Sequence, residues 1–160
     1  MGDATAPICD GSDGDKFIVH CCNDIGAWGA GFVVAISKRW KSPEMEYRKW
    51  YKEREPRFDL GEVQIVQVED NSDGKIFVCN IIGQRGIGIQ NGQIPLRYEA
   101  LEMGFRKIIK TIRNDNHTNA SIHMPRIGCG LAGGDWEVVD RIIQATFCIN
   151  DIQVFVYDFK

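Results

Sequence analysis

Two glycine clusters constrain this chain more than any other feature. The first is Asn23-Asp24-Ile25-Gly26-Ala27-Trp28-Gly29-Ala30-Gly31, and the second is Gly128-Cys129-Gly130-Leu131-Ala132-Gly133-Gly134. Each follows a short apolar run and precedes a segment with helical spacing of its apolar residues. Glycine lets a backbone take positive φ and approach a neighbour closely, as a sharp strand-to-helix turn requires. In an open α/β sheet, ligands bind beyond the carboxyl ends of the strands. A helix N-terminus there offers unpaired N–H groups and the positive end of a dipole. Two such loops facing each other can clamp a diphosphate. The plainer reading of each cluster, taken alone, is a tight turn and nothing more.

The rest of the chain supports that frame. Lys16 to Cys22 is an apolar, β-branched run that reads as a buried strand. Phe32, Ala35, Ile36 and Trp40 recur at helical spacing from Gly31 to Trp40. Pro43 opens a second helix, Glu44 to about Glu53, and Pro56 helps to end it. Gly61 to Val68 and Lys75 to Ile82 read as a hairpin around the turn Asn71-Ser72-Asp73-Gly74. Gly83 to Gly92 is a glycine-rich loop, and Pro95 to about Ile112 carries Tyr98, Leu101, Phe105, Ile108 and Ile109 on one helical face. A strand over Ala120 to Met124, a helix from Asp135 to about Cys148 and a strand from Ile152 to Tyr157 complete the order. This alternation predicts an α/β fold of three layers, α/β/α, around a central mixed, largely parallel sheet. The acidic, glycine-rich stretch Asp10 to Asp15 is the expected mobile loop.

Composition narrows the function classes. A chain of 160 residues favours one domain, residues 1 to 160, with a core that needs no disulfide or structural metal. The net charge of −3 and pI of about 5.6 argue against a phosphate-backbone binder, so no nucleic-acid polymer is expected as partner. The basic and aromatic residues from Lys38 to Arg57 are interleaved with Glu44, Glu46, Glu53 and Glu55, which suits a solvated helix with its aromatics inward. No apolar run approaches the roughly 20 residues that span a bilayer, so no membrane partner is expected. The start, Met1-Gly2-Asp3-Ala4, lacks the pattern of a secretory signal. Six cysteines without zinc-type spacing read as free thiols in a reducing, cytoplasmic location. His117 and His123 offer no ligand spacing, and neither a metal nor another cofactor is implied.

Two nucleotide motifs can be tested directly. No stretch reads GxxxxGK[ST], so no P-loop lysine is present. Gly128-x-Gly130-x-x-Gly133 matches GxGxxG, but a dinucleotide fold places this turn after its first strand and needs several strands beyond it.

The segments Gly2-Asp3-Ala4, His20 to Phe32 and Met124 to Trp136 resemble macrodomains. They are most similar to the branch holding the ADP-ribose-1″-phosphate phosphatases and terminal ADP-ribose glycohydrolases. The most specific piece is Met124-Pro125-Arg126-Ile127 with the second glycine loop and Asp135-Trp136. Members of that family carry a strand ahead of the Gly-Asp pair, which this sequence does not show. The resemblance implies binding of ADP-ribose or a derivative, free or on ADP-ribosylated proteins. It implies that Asp3 accepts from the adenine amino group with Ala4 beside it. Asn23 and the loop Gly26, Trp28, Gly29, Ala30, Gly31 would hold the distal ribose and one phosphate. Gly128, Cys129, Gly130, Leu131, Ala132 and Gly133 would wrap the other.

The implied chemistry is hydrolysis of a distal-ribose ester, with a non-catalytic reader of ADP-ribose as the alternative. Glycohydrolase relatives use a lysine and an aspartate where this chain has Gln84 and Ala132. An amide forms no Schiff base and an alanine is no base. Asp135 and His20 are the remaining candidates to activate water. Asp135 before an apolar helix is equally an ordinary N-cap, and His20 inside an apolar strand is more often a satisfied core histidine. Asn23 and Asp24 can contact ribose or shape a turn. Trp28 can stack on a ligand or cap the core. Cys129 fits a space-filling thiol better than a nucleophile, and Arg85 and Arg97 divide between phosphate contact and solvation.

Overall fold

The computed structural model describes residues 2–7 and 13–158. Asp10, Gly11 and Ser12 of the expected mobile loop lie outside them.

Five strands form one sheet in the order β2-β3-β1-β4-β5. Strand β1 (Lys16–Asn23) pairs in parallel with β3 (Gly74–Gln84) and β4 (Ser121–Met124), and β4 pairs in parallel with β5 (Gln153–Val156). Only β2 (Val63–Asn71) runs antiparallel, as the partner of β3 in the hairpin. Gly74 closes that turn at φ 135°, a conformation L side chains rarely adopt. The sheet is thus mixed and largely parallel.

Strand β1 shows why the interior reads as unbroken hydrophobicity. Phe17 and Val19 point into one core, while Ile18 and Cys22 point into the other. A parallel strand covered on both faces cannot afford a polar alternation. On one face pack α3 (Tyr98–Asn114) and α4 (Trp136–Thr146), joined to the sheet through Leu101, Phe105, Ile108, Val139 and Ile143. On the other face pack α1 (Phe32–Arg39) and α2 (Ser42–Glu53), through Val33, Ile36, Tyr47 and Trp50. Each such large side chain, fully buried, contributes roughly 1.5–3 kcal/mol. The aromatics of the 38–57 segment accordingly serve the core: Tyr47 and Trp50 are buried, and Trp40 and Tyr51 pack against the same cluster.

Two boundaries differ from the sequence pattern. Strand β3 continues to Gln84 because Asn23 of β1 still pairs with it beyond a bulge. Helix α3 begins at Tyr98 rather than Pro95, because Leu96 N–H donates to Ala132 O and Arg97 N–H to Gly83 O. Those two bonds hold residues 96 and 97 extended between the central loop and the second glycine loop. Among the described residues no helix is long and apolar enough to cross a membrane, and Cys21, Cys22, Cys79, Cys129 and Cys148 are free thiols.

Candidate functional site: a cleft between two glycine loops

Adjacent strands β1 and β4 send their following helices to opposite faces of the sheet, which opens a crevice at their carboxyl ends. A cleft of about 570 Å³ occupies it. Ala30 and Gly31 with the start of α1 form one wall, and Gly128 to Ala132 form the other. Cys21 and Gln84 lie between them. The loops come close: Leu131 Cδ1 stands 3.6 Å from where a β-carbon on Gly31 would be. Among the described residues, the amides of Gly29, Ala30 and Gly31 make no hydrogen bond, and neither do those of Gly130, Leu131 and Ala132. Unpaired amides from two loops therefore border one cleft, an arrangement suited to an anion with oxygens on two sides.

The first loop is built around Asn23. Its Oδ1 accepts from Ile25 N–H and Ala27 N–H, both at 3.0 Å, and its Nδ2 donates to Ala27 O at 2.8 Å. The Tyr47 hydroxyl, from α2, donates to Asn23 O at 2.6 Å and lies 2.9 Å from Oδ1. Burial pushes the Tyr47 phenol well above its ordinary pKa, so it stays a donor. Arg48 adds contacts to Gly26 O and Trp28 O. Asp24 Oδ1 accepts from Gly86 N–H at 2.7 Å and ties this loop to the central one. Trp28 is buried, packs edge-on against His20, and donates through Nε1 to Ser37 Oγ, which in turn donates to Glu44. Its indole thus packs into the core beside His20.

The second loop is a closed turn. Gly134 N–H donates to Gly128 O at 2.8 Å, Gly133 N–H to Gly130 O, and Cys129 N–H to Arg126 O. Gly128 adopts φ 73°, and a β-carbon there would meet the Leu96 side chain at 2.8 Å. Burial raises the Cys129 thiol, Asp135 raises it further and Arg126 opposes both, so the group stays a thiol near neutrality.

The remaining candidates divide. His20 lines the cleft yet is 1% exposed, with Nε2 against Asn80 Oδ1. Asn80 Nδ2 donates to Pro43 O and Gln64 Oε1, so its Oδ1 accepts and His20 carries its proton on Nε2. Burial lowers this imidazole to about 4, against a smaller opposing effect of the Asn80 bond. Asp135 is exposed and does not line the cleft; its carboxylate accepts Glu137 N–H at 2.9 Å as the N-cap of α4. Asp3 accepts from Thr5 N–H and Oγ1, with Arg39 3.8 Å away, and Ala4 is buried. Their segment lies against the end of β5, since a β-carbon on Gly2 would stand 2.9 Å from the Tyr157 ring. Arg97 turns its guanidinium onto the carbonyls of Ile94, Pro95 and Leu96. Arg85 is exposed. Gln84 donates to Gly86 O at 3.0 Å. The sequence reading missed Tyr47, Arg48 and Arg126; an inward tyrosine on an amphipathic helix carries no sign of which loop its hydroxyl will meet.

A five-stranded mixed sheet with a two-loop cleft at its switch point defines a small-ligand α/β module whose site is backbone-rich. The chain belongs to the Macro domain family, whose sequence model matches residues 19–143. It is 29% identical over 164 residues to chromodomain-helicase-DNA-binding protein 1-like from Danio rerio, across 100% of this chain but 15% of that protein. It therefore spans less than a sixth of that relative's length. It is 29% identical over 142 residues to ADP-ribose glycohydrolase OARD1 from Bos taurus, covering 88% of this chain and 80% of that protein. A solved macrodomain protein from Streptomyces coelicolor superposes with a TM-score of 0.81 at 42% identity, over 99% of this chain and 96% of that one.

Proposed function

We propose that this chain binds ADP-ribose in the cleft between its glycine loops and hydrolyses esters of the distal ribose, such as ADP-ribose-1″-phosphate or O-acetyl-ADP-ribose. The observation that supports the reading most is the set of amides at Ala30 and Gly31 and at Gly130 to Ala132, unpaired among the described residues, around one cleft. They supply positive ends for a diphosphate from the backbone itself, in keeping with the net charge of −3. Likeness to an ADP-ribose glycohydrolase supports the same ligand class. In this reading Asp3 and Ala4 receive the adenine end. The loop shaped by Asn23, Gly26 and Trp28 presents Gly29, Ala30 and Gly31 to the distal ribose and its phosphate, while Gly128 to Gly133 wrap the other phosphate. Asp135 takes the proton of the attacking water, and His20, neutral and fixed by Asn80, orients it. Water adds its oxygen to the phosphoryl or acyl centre, and ADP-ribose leaves with the proton. The free thiols fit a cytoplasmic location.

A second reading, a non-catalytic reader of ADP-ribose on modified proteins, is favoured by particular residues. Asp135 is engaged as a helix cap and His20 is enclosed. Gln84 offers an amide where catalysis by Schiff base needs a lysine. Thermal unfolding with ADP-ribose, AMP, ATP and NAD at equal concentration tests the shared claim. A ligand at 100 times its Kd adds about 2.7 kcal/mol, which at this length raises Tm by roughly 5–11 °C. Equal shifts with all four would sink ADP-ribose selectivity. Release of phosphate or acetate from the two esters then separates hydrolase from reader.

A further inference from the structure

Arg126 and Asp158 both line the cleft, and they are its only cationic and only carboxylate side chains among the described residues. They face each other: Arg126 Nε donates to Asp158 Oδ1 at 2.6 Å. Side-chain exposures of 52% and 58% leave the pair half in solvent at the cleft's edge. Arg126 stands two positions before Gly128, and its carbonyl accepts from Cys129 N–H within the loop that carries the unpaired amides. The Trp136 ring also supports the guanidinium, 5.3 Å from ring centroid to the central carbon. Only Nε is engaged; the two terminal nitrogens make no hydrogen bond among the described residues.

We propose that Arg126 contacts a phosphate of the bound ligand through its terminal nitrogens, and that Asp158 is a built-in counter-charge that holds this contact weak. The proposal rests on the ADP-ribose reading for its ligand. A guanidinium presents a planar fork that matches phosphate oxygens. The same guanidinium is partly neutralised by Asp158, and that carboxylate confronts an incoming diphosphate with like charge. Trp136 determines the outcome of removing Asp158. With the ring still supporting the guanidinium, a neutral residue at 158 leaves Arg126 in place and strips away only the opposing charge. The chain thereby limits its own affinity, which favours release of a product that shares the diphosphate with its substrate.

Isothermal titration of ADP-ribose into the wild-type chain, Asp158→Asn, Arg126→Ala and the double variant tests this. At low salt Asp158→Asn should bind roughly two- to fivefold tighter, the range of a half-exposed ion pair. Arg126→Ala should bind at least fivefold weaker. Most of the Asp158→Asn gain should vanish in the Arg126→Ala background, as coupled residues require. Raising the salt to about 0.5 M should shrink the gain, because exposed charges are then screened. Unchanged or weaker binding by Asp158→Asn overturns the proposal, since removal of an acid would then have helped nothing or cost a ligand contact. Absence of ADP-ribose binding by the wild type refutes the functional reading instead. Titration with inorganic pyrophosphate then decides the pair alone, with tighter binding by Asp158→Asn supporting it and no difference overturning it.

Discussion

The second glycine loop contains two positions, two residues apart, where the same substitution should act in opposite ways. Gly128 sits at φ 73°, and a β-carbon there would meet the Leu96 side chain at 2.8 Å. Leu96 is 2% exposed and its N–H is bonded to Ala132 O, so it has little room to retreat. Left-handed backbone costs alanine roughly 1–2 kcal/mol, and overpacking adds roughly 1–3 kcal/mol. Gly128→Ala should therefore destabilise by about 2–5 kcal/mol, a Tm drop on the order of 4–20 °C for a chain this long. Gly130 has no positive φ, and a β-carbon there meets nothing within 4 Å. Gly130→Ala should keep the fold and raise stability by about 0.4–1 kcal/mol through a less flexible unfolded chain. The open space it fills belongs to the cleft. Its methyl group would stand where a phosphate approaches the amides, so ADP-ribose should bind at least about tenfold more weakly, roughly 1.4 kcal/mol. Calorimetric titration beside thermal unfolding reads both quantities. Wild-type affinity in Gly130→Ala would refute the placement of the phosphate on this loop, and a lowered Tm there would refute the steric argument.

Two other measurements probe the buried and capping groups. Burial lowers both His20 and His123 to about 4 from an ordinary 6.5, with Lys16 adding to the shift at His123. Each ring is neutral in the fold while the unfolded chain protonates first, so its contribution is complete above pH 6.5 and is lost as pH falls toward 4. At 1.36 kcal/mol per unit this amounts to at most about 3 kcal/mol per ring. Melting curves should decline from pH 6.5 to 4.5, and a flat Tm across that window would contradict it. For Asp135, the Ala variant should lose about 1 kcal/mol as a missing N-cap while Asn keeps the cap. If ester turnover exists and depends on the carboxylate, Asp135→Asn should abolish it at unchanged Tm; full turnover by that variant removes Asp135 from the chemistry.

How far the sequence could be read depended on whether an element's role was local. The double-sided burial of β1 is written into the run Phe17 to Val19, and the turn at Asn71 to Gly74 announces its own hairpin. Both glycine loops were visible because positive φ and close approach leave a compositional mark, as at Gly31 and Gly128. The bracing of those loops was not visible. Tyr47 reaches Asn23 across 24 positions, and Asp24 reaches Gly86 across 62. Nothing in a single sequence pairs residues at such separations. The displaced start of α3 has the same origin. Pro95 favours a helix start, but Leu96 and Arg97 are claimed by Ala132 and Gly83, so tertiary bonding overrides local preference.

That distinction bears on where chemistry can reside in this cleft. A site made of backbone amides tolerates almost any side chain that leaves the loop closed, so its presence says little about catalysis. The side chains that define the loops are themselves committed: Asn23 to Ile25 and Ala27, Trp28 to Ser37, His20 to Asn80. The Asp135 carboxylate, exposed at the head of α4, is held among the described residues by one capping bond that water can replace. Among the proposed catalytic groups it is thus the one able to change partners when a ligand arrives. His20, enclosed by Trp28 and fixed through Asn80, can orient but cannot move. In the proposed hydrolysis Asp135 would therefore act by leaving its cap, and the Asp135→Asn variant isolates that step, because it preserves the cap and removes only the proposed base.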